Sequence, residues 1–231
     1  LDKSPEKRVF GRRTGRPLTQ KRKDAIDKLL AEISLKPEHL QEEQNVTPAD
    51  IFGKIVKETW FEIGFGSGEH LSALMRQNPN TCYLGAEPFL NGMSSFLKDI
   101  EDLPHDNIRV IMDDAMFIAN SLAPNTLDGM YILNPDPWHK KRHFKRRIVN
   151  TENLDVFARI LKPGAKLILT TDVPELADWM MIHAGNHPAF EWTAQTADDW
   201  RNQPEGWTTT KYETKRAKGA TMMVYYTFIR K

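Results

Sequence analysis

A chain of 231 residues, 40% hydrophobic and 27% charged, suffices for one domain with a full core and a tail. Its net charge of +1 gives no global pull toward nucleic acid, and its single cysteine, Cys82, excludes an intrachain disulfide. No apolar stretch approaches membrane-spanning length and no signal-peptide pattern opens the chain, so a soluble cytoplasmic protein with no membrane partner is expected.

The charge is unevenly spread. Lys3, Lys7, Arg8, Arg12, Arg13, Arg16, Lys21, Arg22 and Lys23 face only Asp2 and Glu6 in the opening stretch, and a second basic cluster runs from Lys140 to Arg147. Positive charge concentrated on a neutral protein suggests a polyanion held in one place. Residues 1–20 read as a basic arm, mobile in isolation, that either solubilises the chain or settles on phosphates; residues 21–231 read as a single domain. From Thr19 to Leu35 the apolar residues Ile26, Leu29, Leu30 and Ile33 recur at helical spacing, and Pro37 is expected to end that helix. Thr47-Pro48-Ala49-Asp50 reads as a capped helix start with Pro at the first helical position.

The stretch that organises the rest is Trp60 to Glu69. An apolar run (Trp60, Phe61, Ile63) feeds into Gly64, Gly66 and Gly68, and a helical stretch follows from His70 to Met75. Strand, glycine turn and helix in that order open a nucleotide-binding α/β sheet. The spacing is G-x-G-x-G, and Glu69 stands where the dinucleotide fingerprint requires glycine. A tight turn alone would also explain the glycines, but Thr81–Ala86 reads as a second strand closed by Glu87, an acid placed to grip a ribose.

Strands and helices then alternate. Strands are expected at Ile108–Met112, Leu127–Leu133 and, after the Pro163-Gly164 break, Ala165–Thr170; helices are expected at Leu90–Leu97, after Ala115 to Leu122, at Leu154–Leu161 and at Pro174–Ala184. Glu191–Thr196 and Thr221–Ile229 follow as two strands with no helix pattern between them, an antiparallel hairpin at one edge. The alternation calls for a doubly wound, mostly parallel sheet with helices on both faces. Ligands of such sheets bind at the carboxyl ends of the strands, here Gly64–Gly68, Glu87, Asp114, Asn134–Trp138 and Asp172.

Asn134-Pro135-Asp136-Pro137-Trp138 runs directly into the basic stretch. Two prolines fix the backbone around Asp136 and aim its carboxylate. Trp138 offers a flat face for a base, and the lysines and arginines can hold phosphates beside it. His139 and His143 lie four apart but have no third ligand at a sensible spacing, so no metal is expected.

Together these pieces resemble the bacterial tRNA (guanine-N7-)-methyltransferases, members of the class I, Rossmann-like S-adenosylmethionine-dependent methyltransferases. The matching residues are Glu62 to Gly68, Gly85-Ala86-Glu87, Asp114-Ala115, Pro135-Asp136-Pro137-Trp138 with the basic run, Thr171-Asp172, and Thr210-Lys211-Tyr212-Glu213. The resemblance implies a seven-stranded sheet with an antiparallel C-terminal edge and a single methyltransferase domain over residues 21–231. It implies S-adenosyl-L-methionine as cofactor, held by Glu62, Gly64, Gly66, Gly68, Glu87, Asp114, Ala115 and Asp136. Asp136 takes the position assigned as catalytic. Lys140, Asp172, Thr210, Lys211, Tyr212 and Glu213 would contact the target guanosine, and Arg142, His143, Lys145, Arg146 and Arg147 the tRNA backbone. The implied reaction methylates N7 of a guanine in the tRNA variable loop, usually position 46, by a monomer or homodimer. Departures are Tyr212 where Phe is common, Phe144 within the basic run, and no basic residue in Pro88–Met93. Two readings stay open beside it: a methyltransferase acting on an exocyclic base amine, and a catalytically retired RNA-binding protein on the same fold. A nicotinamide oxidoreductase is disfavoured by Glu69.

Overall fold

The structure, a computed structural model, describes residues 10, 13–42, 44–215 and 222–231. Helix α1 (Gln20–Ala25) runs through a π-helical turn (Ile26–Leu30) into α2 (Ala31–Ile33). The buried residues are Ala25, Leu29 and Ile33, four apart. On a regular α-helix that spacing drifts about 40° per step. The wider π turn reduces the drift and keeps all three against Phe96 and Val110. The helix ends at a bridge between Ser34 and Val110, before Pro37. Pro37 instead opens α3 (Pro37–Glu42), where its missing N–H goes unneeded. Helix α4 (Pro48–Phe52) has the expected start: Thr47 Oγ1 accepts from the Asp50 N–H, and the Asp50 carboxylate accepts from the Thr47 N–H.

The alternating part runs β1 (Thr59–Ile63), α5 (Glu69–Gln77), β2 (Cys82–Ala86), α6 (Leu90–Asp99), β3 (Ile108–Ile111), α7 (Met116–Ser121) and β4 (Leu127–Leu133). It continues with α8 (Thr151–Ile160), β5 (Leu161–Thr171), α9 (Pro174–Gly185), β6 (Phe190–Trp192), α10 (Asp198–Arg201), α11 (Lys211–Lys215) and β7 (Val224–Arg230). The seven strands form one sheet in the order β3-β2-β1-β4-β5-β7-β6. The first five in that order are parallel, and β7 runs antiparallel to both neighbours. Neighbouring side chains on a strand go to opposite faces. Tyr83 accordingly packs with Met93 and Phe96, whereas Leu84 packs with Ile118 and Phe157. Both faces are thus covered, and the central strands carry near-continuous apolar runs. Cys82 is buried in this core.

Two expectations are corrected. β5 begins at Leu161, before the Pro163-Gly164 break; the register with β4 jumps between Leu127 and Gly129, so the break is a bulge within one strand. The closing pair is not a simple hairpin: β7 inserts between β5 and β6, and two short helices, α10 and α11, intervene. Sequence order reverses between β1 and β4, which places a crevice at their carboxyl ends.

The basic start is less detached than its composition suggests. The Arg13 carbonyl accepts from the Leu90 N–H at 2.9 Å, and the Asn91 side chain bonds Gly15 N–H at 2.7 Å and Arg16 carbonyl at 2.8 Å. The mobility expected of residues 1–9, 11 and 12 lies outside the described residues.

Candidate active site

β1 releases its chain at Gly64, and Gly64, Gly66 and Gly68 have φ of +73°, +57° and +78°. Such left-handed backbone is open to glycine at no steric cost. Gly68 is also pinned by space, since a Cβ there would stand 2.3 Å from Phe96. The loop is held from β2's end: Glu87 accepts from Gly66 N–H at 2.7 Å and from Phe89 N–H at 2.8 Å. Burial pushes the Glu87 carboxyl above its ordinary range; the two N–H donors work against this, and Asp136 and Glu62 add to it. Beneath the loop, buried Glu62 bonds His70 Nδ1 at 2.8 Å, and the His70 ring sits between Tyr131 and Trp207.

These groups surround a cavity of about 420 Å³ at the β1–β4 crevice. Of the expected cofactor set, Glu62, Gly64, Gly66, Glu87, Asp114, Ala115 and Asp136 line it, while Gly68 lies behind the loop against Phe96. Asp114 also accepts from the Met116 N–H and so orders the start of α7. Where a Gly64 side chain would begin there is no described atom within 4 Å. Open backbone beside several carboxylates suits a nucleoside's hydroxyls and amine, so the residues present fit the implied cofactor.

Asn134-Pro135-Asp136-Pro137-Trp138 forms the opposite wall. Asn134 (φ +49°) and Trp138 (φ +45°) both adopt left-handed backbone, uncommon for an asparagine and strained for a tryptophan. Asp136 is exposed as a residue yet lines the cavity, and partial loss of solvent around its carboxyl raises its pKa. Trp138 is not an open stacking face: the Arg146 guanidinium lies 5.1 Å from its ring and 4.4 Å from that of Phe10.

The basic run divides. Lys140, Arg142 and Lys145 are exposed and His143 is partly so, on and beside a 3-10 turn (Lys141–Arg146); Arg146 reaches the cavity. Burial and the surrounding cations lower the His143 pKa. Arg147 corrects the expectation of a phosphate contact. Its side chain is 1% exposed, its Nε donates to the Pro137 carbonyl at 2.8 Å, and it donates to Glu175 at 2.9 Å. Among the described residues no three His, Cys, Asp or Glu side chains are grouped to hold a metal ion, and no helix is long and apolar enough to cross a membrane.

The Thr210–Glu213 stretch is also split. Thr210 and Tyr212 line the cavity, and Tyr212 is 67% exposed. Burial raises the Tyr212 pKa, with Glu87, Asp136 and Glu69 adding to it. Glu213, expected to touch substrate, is buried; it accepts from Trp207 Nε1, the Thr210 N–H and hydroxyl, and the Tyr225 hydroxyl. Its role in the structure is to fold the loop. Lys211 pairs with Glu69 at 2.6 Å, and that pair clamps the loop onto the glycine turn. Asp172 sits just after β5, outside the cavity wall, as does Lys140.

The wall residues that sequence reasoning missed include Phe10, Glu69, Phe89 and Asp113. Glu69 registered only as a departure from a fingerprint, although an acid at the first turn of a helix beside a glycine loop was a usable signal. Asp113 pairs with Arg13 at 3.1 Å, a contact a hundred positions apart that no local pattern could announce.

Residues 57–224 match the family described as putative methyltransferase. The chain is 40% identical over 225 residues to the tRNA (guanine-N(7)-)-methyltransferase of Brucella anthropi, covering 96% of this chain and 94% of that protein. It is 40% identical over 224 residues to the protein of the same name from Agrobacterium fabrum, with the same coverage. Among solved structures, the 16S rRNA methyltransferase KamB superposes with TM-score 0.57 at 14% identity, covering 81% of this chain and 96% of that one. An antibiotic-related methyltransferase superposes with TM-score 0.53 at 17% identity, covering 85% and 95%. These two likenesses show the fold.

Proposed function

The chain belongs to the family of tRNA (guanine-N(7)-)-methyltransferases, and on that premise we propose that it transfers a methyl group from S-adenosylmethionine to N7 of a guanine in tRNA, at position 46 of the variable loop. The observation that carries the reading is the sharing of one cavity by the glycine loop, Glu87, Asp114 and Asp136. Glu87 would take the ribose hydroxyls, Asp114 would lie by the adenine, and Glu62 with Gly64 and Gly66 would bound the rest of the cofactor. S-adenosylmethionine, when bound, supplies a methyl group already activated by its positive sulfur.

Guanine N7 carries a lone pair in the ring plane and no proton, so the reaction needs no strong general base. The protein's task is alignment at near-attack distance. Asp136, held between two prolines at the mouth of the cavity, places negative charge where the purine ring becomes positive. A fixed charge in a site partly shielded from water stabilises that change without reorganising. Lys140, Asp172, Thr210 and Tyr212 would set the guanosine. The exposed Arg142 and Lys145, together with Arg146, would hold the phosphates around it. A monomer or homodimer is the proposed assembly, and the cytoplasm, where tRNA is found, is the proposed location.

The test is incubation of the protein with labelled S-adenosylmethionine and bulk tRNA, followed by nucleoside analysis. Label in 7-methylguanosine is expected. Label on an exocyclic amine would move the protein to the amine-methylating class. Cofactor binding by calorimetry without any transfer would make it an RNA-binding protein on a retired fold.

A further inference from the structure

We propose that Arg147 is a positioning residue for methyl transfer, acting through the Asp136 loop rather than on RNA; the proposal rests on the reading of Asp136 above. A run of eight residues containing six lysines and arginines reads as one solvated surface, yet Arg147 is the member folded inward. Its guanidinium lies 3.8 Å from the Phe144 ring centroid and 4.7 Å from that of Trp179, stacked against both. A planar, permanently charged fork suits this slot, and a lysine would lose both the stack and the second hydrogen bond.

The two hydrogen bonds join the loop after β4 to the start of α9. Nε holds the carbonyl of Pro137, the peptide that leads into Trp138. That residue sits in a backbone region a tryptophan rarely adopts, so its conformation must be imposed by its surroundings. The other bond reaches Glu175 in the first turn of α9, three residues beyond Asp172. Arg147 therefore ties the loop after β4, which carries Asp136, to the loop after β5, which carries Asp172. The rest of its own segment is anchored too, since the Arg147 carbonyl accepts from the Asn150 side chain at 2.8 Å. An RNA-contacting arginine would need none of this.

The full-length protein tests the idea with Arg147→Met, Arg147→Lys and Glu175→Gln, each measured for melting temperature, cofactor affinity, tRNA affinity against salt, and single-turnover methyl transfer at saturating tRNA. A displacement of about 1 Å at a reacting centre costs on the order of 100-fold in rate. Arg147→Met is expected to lose roughly that much in turnover per folded molecule, with cofactor affinity within about twofold and an unchanged salt slope. Glu175→Gln, which keeps an acceptor oxygen, is expected to lose about tenfold or less. A salt slope shallower by roughly 0.7 or more makes Arg147 a phosphate contact and overturns the proposal. Unchanged turnover per folded molecule, beside a lowered melting temperature, makes it a fold residue only and overturns it equally. Where Arg147→Met does not fold, Arg147→Lys and Glu175→Gln decide by the same criteria.

A double-mutant cycle separates this proposal from its premise. In an Asp136→Asn background, Arg147→Lys should cost little further, because the group it positions is gone. Additive losses overturn the route through Asp136. Full activity of Asp136→Asn alone strikes the premise and removes the route with it.

Discussion

Gly92 offers the sharpest check on how the cofactor cavity is built. It is the third residue of α6, where exchange to alanine ordinarily stabilises a helix by about 1 kcal/mol. Here a Cβ would stand 2.5 Å from the Gly66 carbonyl oxygen and 3.4 Å from Glu87 Cγ. The near atom is backbone and cannot swing away, so helix and glycine loop must part. Overpacking of this kind costs about 1–3 kcal/mol, which outweighs or cancels the propensity gain. A net loss of up to roughly 2 kcal/mol corresponds to a fall of up to about 8 °C in Tm for a chain of this size. Gly66 N–H is held by Glu87, so the displacement is delivered to the two groups read as cofactor ligands. Cofactor affinity should weaken by about tenfold, which is roughly 1.4 kcal/mol. Gly185→Ala serves as control, because the Cβ there meets only the Met181 sulfur, the end of a flexible side chain, at 3.2 Å. Thermal melts and calorimetric titration with S-adenosylmethionine measure both quantities. If Gly92→Ala melts higher and binds as tightly as the parent, the close contact between α6 and the loop is not real, and the account of the cavity fails.

Two further predictions concern charge. Burial raises the pKa of Asp136 and Glu87, so single-turnover methyl transfer should rise with pH through an apparent pKa above the ordinary carboxylate value of about 4. Stability runs the other way: the contribution of such groups is complete below their unfolded value and is lost as pH rises through the raised folded value, so Tm should decline over the same window. A pH–rate profile of Asp136→Asn that keeps the acid limb unchanged would assign that limb elsewhere. The second concerns the exposed half of the basic run. Arg142→Ala and Lys145→Ala should each flatten the salt dependence of tRNA binding by roughly 0.7–0.9 and leave cofactor affinity alone; slopes identical to the parent's would take those residues off the RNA.

What the sequence made legible, and what it hid, follows the range of the interactions involved. The β1–Gly64–α5 unit, β4 at Leu127–Leu133 and Glu87 at the end of β2 depend on local patterns of apolar residues and glycine, and all three stand where expected. The β5 start did not show, because Pro163-Gly164 reads as a stop and only pairing of Leu161 with Leu127 reveals a bulge. The resemblance puts Arg147 on the tRNA backbone and Glu213 against the target guanosine; each is turned inward because partners from other elements satisfy it, Glu175 and Pro137 for one and Trp207 and Tyr225 for the other. The seat of Phe10 against Arg146 and Trp138 has no local signal at all. Local chemistry thus marks where a ligand goes, and long-range pairing decides which of the marked residues face it.

The insertion of β7 between β5 and β6 sets an order on synthesis. β6 emerges from the ribosome before the only strand described beside it, so it must wait unpaired until β7 arrives to bridge it to the sheet. The Tyr225 hydroxyl that secures Glu213 arrives on that same late strand. A nascent chain can therefore shape the glycine turn while the Thr210–Glu213 clamp still lacks its anchor, and the loop that closes onto that turn is among the last parts to set.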